Sequence, residues 1–192
     1  MYEKERSTKE TQIKIKIDDK KSFKESSIST NVGFFDHMLT LLSFHSELYL
    51  HVDADGDNEV DDHHTVEDVG IILGQLIRDL YVEKESYQRY GTTYIPMDES
   101  LARVVLDLSG RPHLNFQAEF SKETVGAFDT ELVMEFFNAL SMNSRMTLHV
   151  DLLKGGNTHH EIEAIFKAFA RSLKAALQES ESGVPSSKGV IE

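Results

Sequence analysis

Apolar and polar residues alternate from Thr11 to Ile17, which is the period of a half-buried strand. Asp18 to Lys21 is a polar turn, and Ser22 to Thr30 is a weaker strand candidate. From Phe34 to Phe44 the spacing changes, and Phe34, Met38, Leu41 and Leu42 fall at helical intervals. Alternation returns over Glu47 to Ala54. A polar loop, Asp55 to Asp61, then leads into helical spacing from Thr65 to Val82. The predicted order is β-β-α-β-α.

The second half predicts the same order. Leu101 to Leu108 and His113 to Phe120 read as strands, separated by the turn signal Ser109-Gly110-Arg111-Pro112. Glu131 to Leu140 reads as a helix, Met146 to Leu152 as a strand, and Thr158 to Leu177 as a long helix. Setting His37 opposite Glu135 aligns Leu42 with Leu140, Leu50 with Leu148 and His51 with His149. Shortening the next loop by two residues sets His63-His64 on His159-His160 and Glu67 on Glu163. Any two amphipathic helices can be made to match. A repeated His pair with its Glu, in the same element order, indicates an internal duplication. The expectation is one α+β domain of two β-β-α-β-α halves, about residues 9–88 and 89–180, with helices on one face of each of two sheets.

Composition narrows the chemistry. With 192 residues, 40% of them apolar and 28% charged, the chain suits an ordinary globular domain. A net charge of −13 with no basic run argues against nucleic-acid binding. There is no cysteine, so disulfides, thiolate nucleophiles and Cys-based metal sites are excluded. Met1 to Glu10 is charged, and no apolar run approaches the roughly 20 residues that span a membrane. A cytoplasmic protein is expected. Nine histidines leave imidazole and carboxylate as the strong ligand types, a set suited to Mn, Fe, Zn, Ni or Co.

Helix geometry makes the repeated motif a two-metal proposal. His63 and Glu67 lie one turn apart and point the same way, whereas His64 projects about a quarter-turn aside. Each helix start therefore offers two ligands to one ion and one to another. One ion would take His63, Glu67 and His160; the other would take His159, Glu163 and His64. The first helix of each half adds a possible fourth ligand, His37 or Glu135. His51, His113 and His149 read as ordinary strand residues. Asp53-Ala54-Asp55-Gly56-Asp57 has a misplaced Gly for a calcium loop, and Gly155-Gly156 lacks the remainder of a P-loop. Both read as turns. Open coordination positions would suit a Lewis-acid catalyst. A metallohydrolase and a metal-storage oligomer are the competing classes.

Several stretches identify a family. FDHML at Phe35 to Leu39, DDHHTVED at Asp61 to Asp68, DLSGRPH at Asp107 to His113 and HHEIEAIFKAFARSL at His159 to Leu173 closely resemble the imidazoleglycerol-phosphate dehydratases. The tail from Pro185 to Val190 does too. The resemblance implies a carbon–oxygen lyase of histidine biosynthesis with two Mn2+ per active site. Its substrate would be a small phosphorylated imidazole, D-erythro-imidazole-glycerol phosphate, and its product imidazole-acetol phosphate. The family assembles through trimers into an octahedral 24-mer with active sites at subunit interfaces. Carried over, its metal ligands are His37, His63, His64, Glu67, His159, His160 and Glu163. Its phosphate contacts are Arg89, Arg111, Lys167, Ser186 or Ser187, and Lys188, with residues 181–192 as a tail closing over the phosphate. The span His37 to His45 resembles a substrate-contacting stretch, and Glu10 an acid near the substrate.

One position departs from the family, which commonly has His where this chain has Glu135. Either Glu135 ligates as a harder, anionic donor, or it points elsewhere and that ion has one protein ligand fewer. The expected mechanism passes through an imidazolate that expels the neighbouring hydroxyl to give a diazafulvene-type species. A carboxylate, Glu10, Glu67 or Glu163, shuttles protons, and the sequence does not choose among them.

Overall fold

The structure, a computed structural model, describes residues 1–181 and 183–186. The first half runs β1 (Tyr2–Ser7), β2 (Thr11–Asp18), β3 (Ser27–Ser29), α1 (Gly33–Ser46), β4 (Tyr49–Gly56) and α2 (His63–Val82). The second runs β5 (Tyr90–Met97), β6 (Ser100–Asp107), β7 (His113–Gln117), a small hairpin of β8 (Thr124–Val125) and β9 (Phe128–Asp129), α3 (Glu131–Ser144), β10 (Thr147–Lys154) and α4 (Thr158–Leu177).

The α+β fold and its two sheets are as expected. The sheets have orders β1-β2-β4-β3 and β5-β6-β10-β7, each antiparallel except for its last, parallel pair. The halves repeat closely. The α1 and α3 helices begin and end at equivalent positions, as do β4 and β10, under the pairing that sets His37 on Glu135. Both α1 and α3 stop at a left-handed residue, Glu47 (φ 59°) and Arg145 (φ 56°).

Each four-stranded sheet has one strand more than the periodicity predicted, and the second half adds the β8–β9 hairpin. In β1, the sequence YEKERS offers only Tyr2 as a sizeable apolar residue, so its alternation is faint; β1 is an edge strand. The β5 strand is likewise an edge strand, with Pro96 near its end, as edge position permits. The candidate strand Ser22 to Thr30 resolves into a short 3-10 turn, Phe23–Glu25, followed by three-residue β3. Ser22 Oγ accepts from the Lys24 N–H and starts that turn.

The helices exchange partners between halves, and this places the site. Ile13, Ile15 and Ile17 of β2 and Ala102, Val104 and Leu106 of β6 turn inward to the helices. The α2 helix packs on β2 and against α3, while α4 packs on β5 and β6 and against α1. All contribute to one continuous core. At its centre, Phe136 of α3 lies 5.3 Å from Phe35 of α1 and 5.4 Å from Phe166 of α4. Such fully buried side chains stabilise the fold by about 1.5–3 kcal/mol each. Gly74 permits the α2–α3 crossing, because a Cβ there would lie 2.5 Å from the Leu140 carbonyl oxygen. The first-half helix α1 is therefore held against the second-half helix that starts with His159-His160.

Candidate metal centre

The start of α4 is built by its sequence. Asn157 caps the helix, its side chain accepting from the His159 N–H at 3.0 Å. Buried Glu161 accepts from the Gly156 N–H at 2.6 Å, folding the preceding loop onto the helix. His159 and Glu163, one turn apart, share a face: His159 Nε2 lies 3.2 Å from Glu163 Oε2.

The α1 helix adds His37 from the other half. Its Nε2 lies 3.5 Å from the same Glu163 oxygen, and its ring centre is 5.9 Å from that of His159. Ligand atoms of His37, His159 and Glu163 lie within 4.8 Å of one another, close enough to hold one ion. Phe34 packs edge-on against His159, at 5.2 Å between rings. Lys167 donates to the other Glu163 oxygen at 2.5 Å. Burial alone would raise the Glu163 pKa; the Lys167 hydrogen bond and charge, with His159 and His37, outweigh it and hold the carboxyl below its usual value. His45, two turns beyond His37, titrates below the ordinary imidazole range because of burial and the nearby Lys167 and Arg171 charges.

The second histidine of each copy of the motif is directed elsewhere. His64 Nδ1 lies 3.1 Å from both Asp57 oxygens, and its Nε2 is 3.9 Å from Glu10. Its pKa is raised, chiefly by the Asp57 hydrogen bond. His160 Nδ1 lies 3.3 Å from both Glu99 oxygens. Glu99 also accepts from the Asn157 N–H at 2.8 Å and from the Ser100 hydroxyl at 3.1 Å. Hydrogen bonds from its own N–H and that of Asn157 hold its pKa down, to about 2. Glu99 escaped sequence reasoning. Its signal was present: it immediately precedes β6 as Glu10 immediately precedes β2.

His63 lines a cavity of about 270 Å³ with Asp61, Asp62, Asp129 and Glu131. Glu67 and Glu135 are half-buried on α2 and α3. Among the described residues, no three-ligand group includes His63, Glu67 or Glu135. His37 therefore joins the motif of the opposite half within one chain, whereas Glu135 does not complete a corresponding group.

The basic residues split between two places. Lys167 sits beside Glu163. Arg89, largely buried, donates through Nε and Nη2 to Asp107 at 2.7 and 3.1 Å, and through Nη1 to the Pro185 carbonyl at 2.6 Å. Arg111 is exposed, 4.0 Å from Asp107. Ser186 is half-buried; Ser187 and Lys188 lie outside the described residues. The Arg89 N–H bonds to the Ala176 carbonyl at the far end of α4, about 20 Å of helix from Glu163.

Comparison with known proteins then decides the family. The family model for imidazoleglycerol-phosphate dehydratase matches residues 30–173. The chain belongs to the imidazoleglycerol-phosphate dehydratase family. It is 65% identical over 192 residues to the dehydratase of Staphylococcus carnosus, covering 100% of this chain and 99% of the relative. It is 60% identical to that of Staphylococcus saprophyticus over the full length of both. The crystal structure of the Staphylococcus aureus dehydratase superposes with a TM-score of 0.86 at 56% identity, covering 93% of this chain and 99% of that one. The Pyrococcus furiosus enzyme gives 0.85 at 37% identity, covering 97% and 99%. Membership makes the chain a hydro-lyase, and the family fold is the one described above. No helix among the described residues is long and apolar enough to cross a membrane.

Proposed function

We propose that the chain dehydrates D-erythro-imidazole-glycerol phosphate to imidazole-acetol phosphate in cytoplasmic histidine biosynthesis, using two divalent ions per active site, Mn2+ first among them. The observation that carries this reading is the convergence of His37, His159 and Glu163. Two imidazoles and an ionised carboxylate form a mixed nitrogen–oxygen donor set that fits Mn2+ and its neighbours and leaves coordination positions for substrate. His64 and His160, turned away from that group in their own chain, would contribute to ions shared with other chains. When bound, the metals supply Lewis-acid charge to the substrate's imidazole ring.

The remaining work falls to the chain's own side chains. Glu163 is kept ionised by Lys167, so it can ligate without first losing a proton. Glu10 is an exposed carboxylate beside His64 Nε2, suited to taking up and returning a proton at the substrate's carbon or hydroxyl. His45 favours its neutral form and can accept a hydrogen bond on the His37 face of α1. Arg111 and Lys167 offer positive charge to a phosphate, and Arg89 holds the Pro185 segment that precedes Ser186, Ser187 and Lys188.

A homo-oligomer, an octahedral 24-mer built from trimers, belongs to the same proposal. The Arg89 region and the Glu163 cluster of one chain stand too far apart to grip one small substrate. Exposed Phe44, Tyr94 and Met134 supply apolar surface for a second copy to cover. The purified protein should form an enolisable ketone product from imidazole-glycerol phosphate and release no phosphate from simple phosphate esters. Ester hydrolysis without dehydration would establish a metallohydrolase instead.

A further inference from the structure

The doubled motif leaves two histidines, His64 and His160, whose rings are each gripped at the same atom by a carboxylate. His64 Nδ1 is 3.1 Å from both oxygens of Asp57, and His160 Nδ1 is 3.3 Å from both oxygens of Glu99. An ionised carboxylate only accepts, so Nδ1 carries a proton, and in the neutral ring Nε2 is left with its lone pair.

These two carboxylates are not copies of one another. Asp57 follows β4, in the loop before α2, whereas Glu99 stands in the turn between β5 and β6. The duplication relates Glu99 to Glu10, the residue before β2, and Glu10 lies nearest the opposite ring nitrogen of His64. Two unrelated positions thus deliver the same contact. We infer that Asp57 and Glu99 are positioning residues that fix the tautomer and ring direction of His64 and His160, so that each presents Nε2 to a divalent transition-metal ion. The inference rests on the metal reading of the site given above.

Asp98, Glu99 and His160 bring ligand atoms within 4.8 Å of one another, but they meet at His160 Nδ1, and the hydrogen bonds of Glu99 suit it to hold that ring. Its Oε1 already accepts from the Asn157 N–H and the Ser100 hydroxyl as well as facing His160. Its stem packs where a Cβ on Gly156 would lie 2.4 Å from its Cγ, so the loop before α4 is shaped around it. One carboxylate therefore sets both the helix start and the ring that the helix start carries. A carboxylate on the distal nitrogen raises the basicity of a ligating imidazole, and losing such a partner typically weakens metal binding by about 10–100-fold.

The test is a Mn2+ titration of the metal-stripped protein, followed by the electron paramagnetic resonance of free Mn2+. Glu99→Gln preserves shape and removes the charge. It should weaken one class of sites by roughly 10–100-fold, while the metal-free protein keeps its native circular-dichroism spectrum. In a His160→Gln background, Glu99→Gln should add no further loss, because its effect passes through that ring. Asp57→Asn should behave in the same way toward His64→Gln. Unchanged Mn2+ affinity in Glu99→Gln, or a full additional loss on top of His160→Gln, overturns the positioning role while leaving the metal reading intact. If His160→Gln itself leaves every site at full affinity, the ligand assignment fails and the inference falls with it.

Discussion

His37 Nε2 lies 3.5 Å from Glu163 Oε2, although the two residues belong to different halves of the duplicated chain. The contact exists because α1 packs on α4 rather than on the last helix of its own half. Glu163 gathers His37, His159 and Lys167 around one carboxylate. Glu163→Gln removes the only anion of that group. It should lower Mn2+ affinity by at least about 100-fold, beyond the loss typical of an orienting partner, and abolish turnover with it. Metal content after gel filtration checks this. A variant that retains its full metal complement removes Glu163 from the ligand set.

The proposed metal role of His64 carries a pH dependence. Its pKa lies above the ordinary imidazole value of 6.5 because of the hydrogen bond to Asp57, with Glu10 and Asp61 adding to it. A raised folded-state value means that the charged His64–Asp57 contact stabilises the metal-free fold below the ordinary value and is lost as pH rises through the raised one. A metal needs the neutral ring, so binding must displace that proton. Apparent Mn2+ affinity should rise with pH and level off only above the ordinary imidazole range. Titrations from about pH 6 to about pH 9 follow this. Affinity that is already flat from the ordinary value upward contradicts it.

Gly91 seats α4 on its sheet. A Cβ at this position would stand 1.9 Å from the Ser172 carbonyl oxygen, which is backbone and cannot swing aside. Gly91→Ala should cost about 1–3 kcal/mol, read as a lowered urea midpoint. The shift of α4 should also lower metal affinity, because that helix carries His159, His160 and Glu163. A variant with unchanged stability would mean that the helix has room the packing does not show.

The Arg89 contact with the Pro185 carbonyl ties the last described residues to the position just before β5. Deleting Pro185 onward should reduce turnover of the phosphorylated substrate on the order of 100-fold, as expected when a positioning element is lost, while bound metal stays constant. Unchanged kinetics would remove the tail from the substrate site.

Much of this was legible in the residues. The β2 and β4 alternation and the pairing of His37 with Glu135 located the helices and strands of both halves, because a duplicated core repeats its apolar positions. The edge strands β1 and β5 were not legible, since an edge strand can keep its place with little apolar alternation. The doubled His-His-x-x-Glu pointed to candidate ligands on α2 and α4, and i, i+4 geometry foresaw the His159–Glu163 contact. Which half His37 would serve depends on helices crossing between halves, and no local pattern encodes that. Glu99 was missed for a similar reason: a carboxylate in a turn acquires its role from the ring it meets, and His160 meets it only after the second sheet has formed.

The most direct measurement is a dehydratase assay on metal-stripped protein with single metals added back. The account predicts no turnover of imidazole-glycerol phosphate without metal, restoration by Mn2+, and no restoration in Glu163→Gln. Full activity in the stripped protein, or no activity with any divalent metal, would contradict it.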